Sequence, residues 1–199
     1  MNRSWPVLTV AGVLVAGLAF HLAAQSSPPP EAPRFTAAGQ LQRPANYREW
    51  IWLSSGLGMS YNPSARSAGN PSFDNVFVNP AAYRAFLQTG AWPDQTVFVL
   101  EVRASESHGS INQQGHYQGA RLAMEVEVKD ARRFPGKWAF FAFPGANDSA
   151  APIPTTASCY SCHAQNGAVD NTFVQFYPTL LEVARQKGTL RPVPVTPVR

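Results

Sequence analysis

The chain has 199 residues, 14% of them charged and 12% aromatic, which suits one ordinary domain with a dense aromatic core or a lined pocket. The net charge is +4, but the basic residues form no run and no nucleic-acid module is present, so nucleic acid is excluded as a partner. The two cysteines, Cys159 and Cys162, are three positions apart, so a long-range disulfide within the chain is excluded as well.

Residues 1–24 read as a secretory signal: Arg3, an apolar run from Pro6 to Phe20, then Leu22-Ala23-Ala24 before Gln25. The stretch from Pro6 to Ala24 is also about long enough to span a bilayer, so an uncleaved anchor stays open. The expected location is periplasmic or exported, free or tethered to a membrane by that N-terminus. His21 falls in this segment and is discounted as a ligand. Residues 25–39 open with Ser26, Ser27, Pro28, Pro29, Pro30 and Pro33 and read as a Pro/Ser-rich tether. Residues 191–199, with Pro192, Pro194 and Pro197, read as a loose tail. The folded body is then 40–190, without internal repeats.

Within the body, 48–54 reads as a first strand with Trp50 and Trp52 on one face. Glycines and prolines from Gly56 to Pro71 mark a long irregular loop, and 72–78 is a weaker second strand. Asn79-Pro80 opens a helix that Gly90 closes, with Ala82, Tyr83, Phe86 and Leu87 as its apolar face. Residues 96–102 form the clearest strand, and 104–119 a polar loop or wide hairpin. Residues 121–129 alternate: Leu122, Met124, Val126 and Val128 lie on one face, with Arg121, Glu125, Glu127 and Lys129 near or on the other, as in a half-buried antiparallel strand. Residues 137–143 form a further strand, and Pro178 begins a last helix ending at Lys187-Gly188. The fold class is α+β, a mostly antiparallel β-sheet with a few helices.

Cys159-Tyr160-Ser161-Cys162-His163 is the C-x-x-C-H haem c attachment signature, placed towards the C-terminus. Two thiols one helical turn apart can each bond a vinyl carbon of one porphyrin, and the adjacent imidazole then lies under the iron. One covalent haem c is therefore expected, with His163 as the metal ligand. A thioredoxin-type redox pair calls for a βαβ context, and a zinc site lacks its further ligands; a short-loop disulfide stays open. Only 36 residues follow His163, none of them Met or His. A sixth ligand must come from upstream, with Met59, Met124, His108 and His116 as candidates. The expected state is five-coordinate iron with an open, aromatic far side that binds small ligands. Phe73, Phe77, Phe98, Leu100, Trp138 and Phe140 are the candidate wall residues.

These residues resemble the cytochrome P-460 family, which includes the cytochromes c′-beta. The resemblance rests on Tyr47-Arg48-Glu49-Trp50, on Phe77-Val78-Asn79-Pro80-Ala81-Ala82-Tyr83 and on Trp92-Pro93-Asp94 before the strand 96–101. It continues through Lys137-Trp138-Ala139-Phe140-Phe141-Ala142-Phe143, the late haem motif and Phe176-Tyr177-Pro178. It implies a small β-rich fold, usually a homodimer, and one of two activities. The P-460 members look built for hydroxylamine oxidation, with a lysine crosslinked to the porphyrin and a carboxylate near the distal site. The c′-beta members have an apolar pocket capped by phenylalanine that binds nitric oxide or carbon monoxide. The strand 96–102 contains no lysine, and the segment 152–157 before the motif contains no carboxylate. On another register Lys129 or Lys137 would be the crosslinking residue. The reading favours a gas-binding cytochrome that takes a small gaseous or nitrogenous ligand such as nitric oxide. A hydroxylamine-oxidising enzyme and a six-coordinate electron-transfer cytochrome with a redox partner protein are the alternatives.

Overall fold

The computed structural model describes residues 31–60 and 70–192. The expected signal segment, the start of the tether, part of the first long loop and the end of the tail lie outside these residues. The fold is α+β. Strands β2 (Ile51–Leu57), β3 (Phe73–Val78), β4 (Val97–Glu106), β5 (Tyr117–Lys129) and β6 (Trp138–Ala142) form one antiparallel sheet in chain order. β1 (Leu41–Gln42) and β7 (Ser149–Ala150) pair as a separate two-stranded ribbon. The helices are α1 (Pro80–Thr89), α2 (Ser158–Asn166) and α3 (Pro178–Gln186). Among the described residues no helix is long and apolar enough to cross a membrane.

β4 and β5 form the spine. Only the two ends of the segment expected to be a polar loop or wide hairpin, 104–106 and 117–119, are strand, because the hairpin pairing continues out to Glu106 and Tyr117. Strand parity then divides the molecule. Val97, Val99, Met124, Val126 and Phe141 point to one face and build a core with Tyr47 and Trp50. Val78, Phe98 and Trp138 point to the other and build a core with Phe86 of α1, Leu180 of α3, Trp92 and Tyr177. Each large side chain buried this way contributes about 1.5–3 kcal/mol.

Local chemistry explains the differences from the sequence reading. Trp50 precedes β2, following a short 3₁₀ turn at Tyr47–Glu49, and is buried, whereas Trp52 in the strand is 56% exposed. Leu122 does not join the apolar face of β5 and is 62% exposed. The register passes from Val102↔Ala123 to Arg103↔Arg121, so Leu122 is the extra residue of a bulge. Leu87 of α1 is exposed, and Ala82 and Phe86 carry that helix's burial.

Asn79 stands before α1 with Pro80 in the first turn, but its side chain does not cap the helix. Its Oδ1 accepts from the Val97 N–H at 2.9 Å and its Nδ2 donates to the Gln95 carbonyl at 3.2 Å, which ties the helix start to the head of β4. Gly90 closes α1 in the left-handed region at φ 71. A Cβ there would lie 2.6 Å from that of Lys187, so the same glycine lets the end of α3 approach.

Candidate functional site

The site lies on the second face of the sheet, beside the core under α1 and α3. The paired residues Ser54, Val76, Leu100 and Glu125 make one row across four strands, and Phe98, Glu127 and Phe140 make the next. Opposite them stand Cys159 and His163 of α2, with Phe173, Phe176 and Tyr177 from the segment that follows. Together they enclose a cleft of about 860 Å³, counting the part open to solvent.

α2 has no fully buried residue of its own, so its place depends on specific contacts. The Tyr160 hydroxyl donates to the Ile153 carbonyl at 3.1 Å, and its ring meets Phe140 edge-on at 4.8 Å. Arg191 donates from Nη2 to the Ala164 carbonyl at 2.7 Å and from Nε to the Gly167 carbonyl. Cys159 and His163, four apart, share one face of the helix and line the cleft. Cys162 is half-buried beside Asn166, whose Nδ2 donates to the Cys162 carbonyl at 2.9 Å and lies 3.7 Å from its sulfur. Both thiols are free. Burial pushes the Cys159 thiol up, the opposite of what a redox-active pair needs.

The His163 ring is held between Phe140 and Phe173, each centroid 4.5 Å away. Its Nδ1 lies 2.8 Å from the Asn171 carbonyl and 3.5 Å from Oε1 of Glu127. Burial disfavours the imidazolium, but the Glu127 carboxylate beside it and the Asn171 carbonyl together outweigh it and the net shift is upward. Burial pushes Glu127 up, against the opposing pull of His163. With Nδ1 engaged by its neighbours, Nε2 is the nitrogen available to a metal.

The candidate wall residues separate by strand parity. Leu100, Phe140 and Phe98 line the cleft. Phe73 and Phe77 do not: on β3 the residues facing the cleft are Asp74 and Val76, and Phe77 turns to the opposite face, 5.5 Å from the Tyr47 ring. Phe73 shares the parity of Phe77. Trp138 is buried in the core behind the cleft, 6.3 Å from Phe98. Of the candidate sixth ligands, Met59 lines the cleft. Met124 is buried in the core on the other face, and His108 and His116 are exposed in the β4–β5 hairpin.

The sequence reading found no acid or base where it looked for one, yet three carboxylates line the cleft: Asp74, Glu125 and Glu127. They come from β3 and β5, away from the segment before the motif. Burial, then the charge of Glu125, raises Asp74. Glu125 and Glu127 sit on the face of β5 that its alternation marks as polar, and that face meets α2 and the cleft. The signal was present in the alternation, but a polar strand face reads as solvent-facing when the helix that covers it is not yet placed. Lys129, next on that face, donates to Oδ2 of Asp170 at 2.5 Å and to the Trp92 carbonyl at 2.8 Å. Lys137 is exposed in the turn before β6.

These residues fit a c-type haem: an aromatic cleft, two free thiols in the attachment spacing, and an imidazole with its outer nitrogen already held. A model of the family described as Cytochrome P460 matches residues 44–174, more than half of the chain. No curated protein matches it.

Proposed function

Since the chain belongs to the Cytochrome P460 family and so is a haem-binding cytochrome, we propose that it is an exported mono-haem c-type cytochrome that binds a small diatomic or nitrogenous ligand such as nitric oxide. In this reading Cys159 and Cys162 carry the two thioether bonds of one haem, and His163 is the proximal ligand through Nε2. A haem held by these residues would supply a site for a small ligand and one-electron redox chemistry. The observation that carries the reading is His163 itself: it faces an aromatic cleft beside Cys159 while Nδ1 is fixed by Asn171 at 2.8 Å.

The chain's residues have distinct tasks. Phe140 and Phe173 hold the plane of the imidazole. Val76, Phe98 and Leu100 give the cleft an apolar stretch of floor, which suits a small apolar ligand such as nitric oxide or carbon monoxide. The export signal in 1–24, a homodimer and a redox partner protein complete the proposal. The test is the mass and absorption spectrum of protein matured in a host that attaches haem, with and without nitric oxide. A mass increase of one haem and a five-coordinate high-spin ferrous spectrum that changes with nitric oxide are expected. A colourless protein with the mass of the bare polypeptide refutes the reading.

A second reading, a hydroxylamine-oxidising oxidoreductase, is favoured by Asp74 and Glu125. Both line the cleft, and the raised pKa of Asp74 suits a group that takes up and returns protons. Turnover with hydroxylamine and an electron acceptor, lost in Asp74→Asn, would support it; no turnover would remove it.

A further inference from the structure

Glu127 is an expensive residue for its position. It sits on β5 between Phe98 on one neighbouring strand and Phe140 on the other, with 9% of its surface exposed. Its Oε1 is buried and makes no hydrogen bond in the structure. A carboxylate taken out of water is costly unless a donor or cation compensates it. Lys129, two residues along the same strand face, is committed to Asp170 and the Trp92 carbonyl. The group that faces Oε1 is His163, with Nδ1 at 3.5 Å.

We infer that Glu127 is a positioning residue for the haem ligand. Its carboxylate, with the Asn171 carbonyl, draws on the Nδ1 proton of His163 and strengthens the imidazole as a donor to iron. The inference rests on the reading of His163 as proximal ligand. A histidine that binds a metal commonly gives its other N–H to a carboxylate or carbonyl, which fixes the ring and raises ligand basicity. Here both acceptors lie near one nitrogen, and β5 supplies the means of placing both. Glu127 faces the imidazole directly. Lys129 holds Asp170, and the next residue, Asn171, presents the carbonyl that meets Nδ1 at 2.8 Å. One strand thus fixes the ligand twice, once through charge and once through the loop.

The test uses the full-length, haem-loaded protein and two readouts, the ferrous iron–histidine stretching frequency and the reduction potential. Glu127→Gln keeps the shape and removes the charge. The stretch should fall to lower frequency and the potential should move positive. Lys129→Met loosens the loop but keeps the carboxylate, so it should broaden the band with a smaller shift. Where Glu127→Gln does not load haem, wild type supplies the measurement: its stretch should lie above that of a histidine-ligated haem peptide in water. A Glu127→Gln protein with both readouts unchanged, or a wild-type stretch equal to the peptide's, overturns the inference. Failure of the underlying reading looks different, since no iron–histidine band would then appear at all.

Discussion

Replacing Gly167 by alanine should damage the site from its backbone side. Gly167 follows α2 with φ −68 and ψ 135, angles that any residue adopts, so the need for glycine is one of space. A Cβ here would lie 2.8 Å from both the Asn171 carbonyl carbon and the Thr172 nitrogen, and 2.9 Å from the His163 carbonyl oxygen. Ordinary van der Waals contact begins at 3.4 Å, so the loop must retreat from the helix by about half an ångström. No flexible side-chain tip can give way, because all three neighbours are backbone. Overpacking of this kind costs about 1–3 kcal/mol, and stretching the contact between Nδ1 and the Asn171 carbonyl removes roughly one more. For a domain of this size the sum corresponds to a fall in Tm of roughly 4–16 °C. The assay is thermal unfolding of the haem-loaded protein by circular dichroism, with the ferrous spectrum recorded beside it. A Tm within one degree of wild type and an unchanged spectrum would refute the claim that this close approach positions His163.

Three other outcomes follow from separate contacts. Glu101, 1% exposed, accepts from Arg103 Nε at 2.7 Å and is bonded by Tyr47 and Arg48; burial opposes its charge, but these donors prevail and hold its pKa below the ordinary 4.5. Its contribution is therefore complete above pH 4.5 and is lost as the pH falls below it. Glu101→Gln should cost about 3 kcal/mol at pH 7 and flatten the acid limb of the urea midpoint plotted against pH. Trp92→Phe removes the donor to Thr172 Oγ1 at 2.8 Å and shrinks a ring that packs 4.1 Å from Phe86 and 4.8 Å from Phe98; about 2 kcal/mol should be lost in urea unfolding. Met59→Leu should leave the ferrous spectrum unchanged under the five-coordinate assignment. A low-spin wild-type spectrum that turns high-spin in this variant would show that the Met59 thioether occupies the sixth position.

Most of the sheet was legible because its strands state their period plainly. The run 96–102 is dense in β-branched and aromatic residues, and Asn79-Pro80 with Gly90 brackets α1 at both ends. What could not be read was pairing. The bulge that turns Leu122 out, and the tie from Asn79 to the head of β4, depend on which strands are neighbours, and no local pattern specifies that. The polar composition of 104–119 concealed the strand at its two ends for the same reason: a hairpin extending beyond its core needs cross-strand hydrogen bonds but few apolar residues.

The site was legible at its chemical centre and obscure in its walls. The attachment spacing names Cys159, Cys162 and His163 without reference to the fold, since the chemistry lies within one helical turn. The walls follow from strand parity, and parity assigns residues to faces only when one member of the set is anchored. On β3 the aromatic residues Phe73 and Phe77 looked like pocket material, but the cleft takes the alternate set, Asp74 and Val76. On β5 the same rule makes one strand serve two purposes. Met124, Val126 and Val128 fill one core, while Glu125, Glu127 and Lys129 turn towards the cleft, the imidazole and the loop that holds it. A slip of one residue in β5 would bury the charges in the apolar core and turn valines towards His163. The apolar face that stabilises the fold therefore also holds Glu127 against His163.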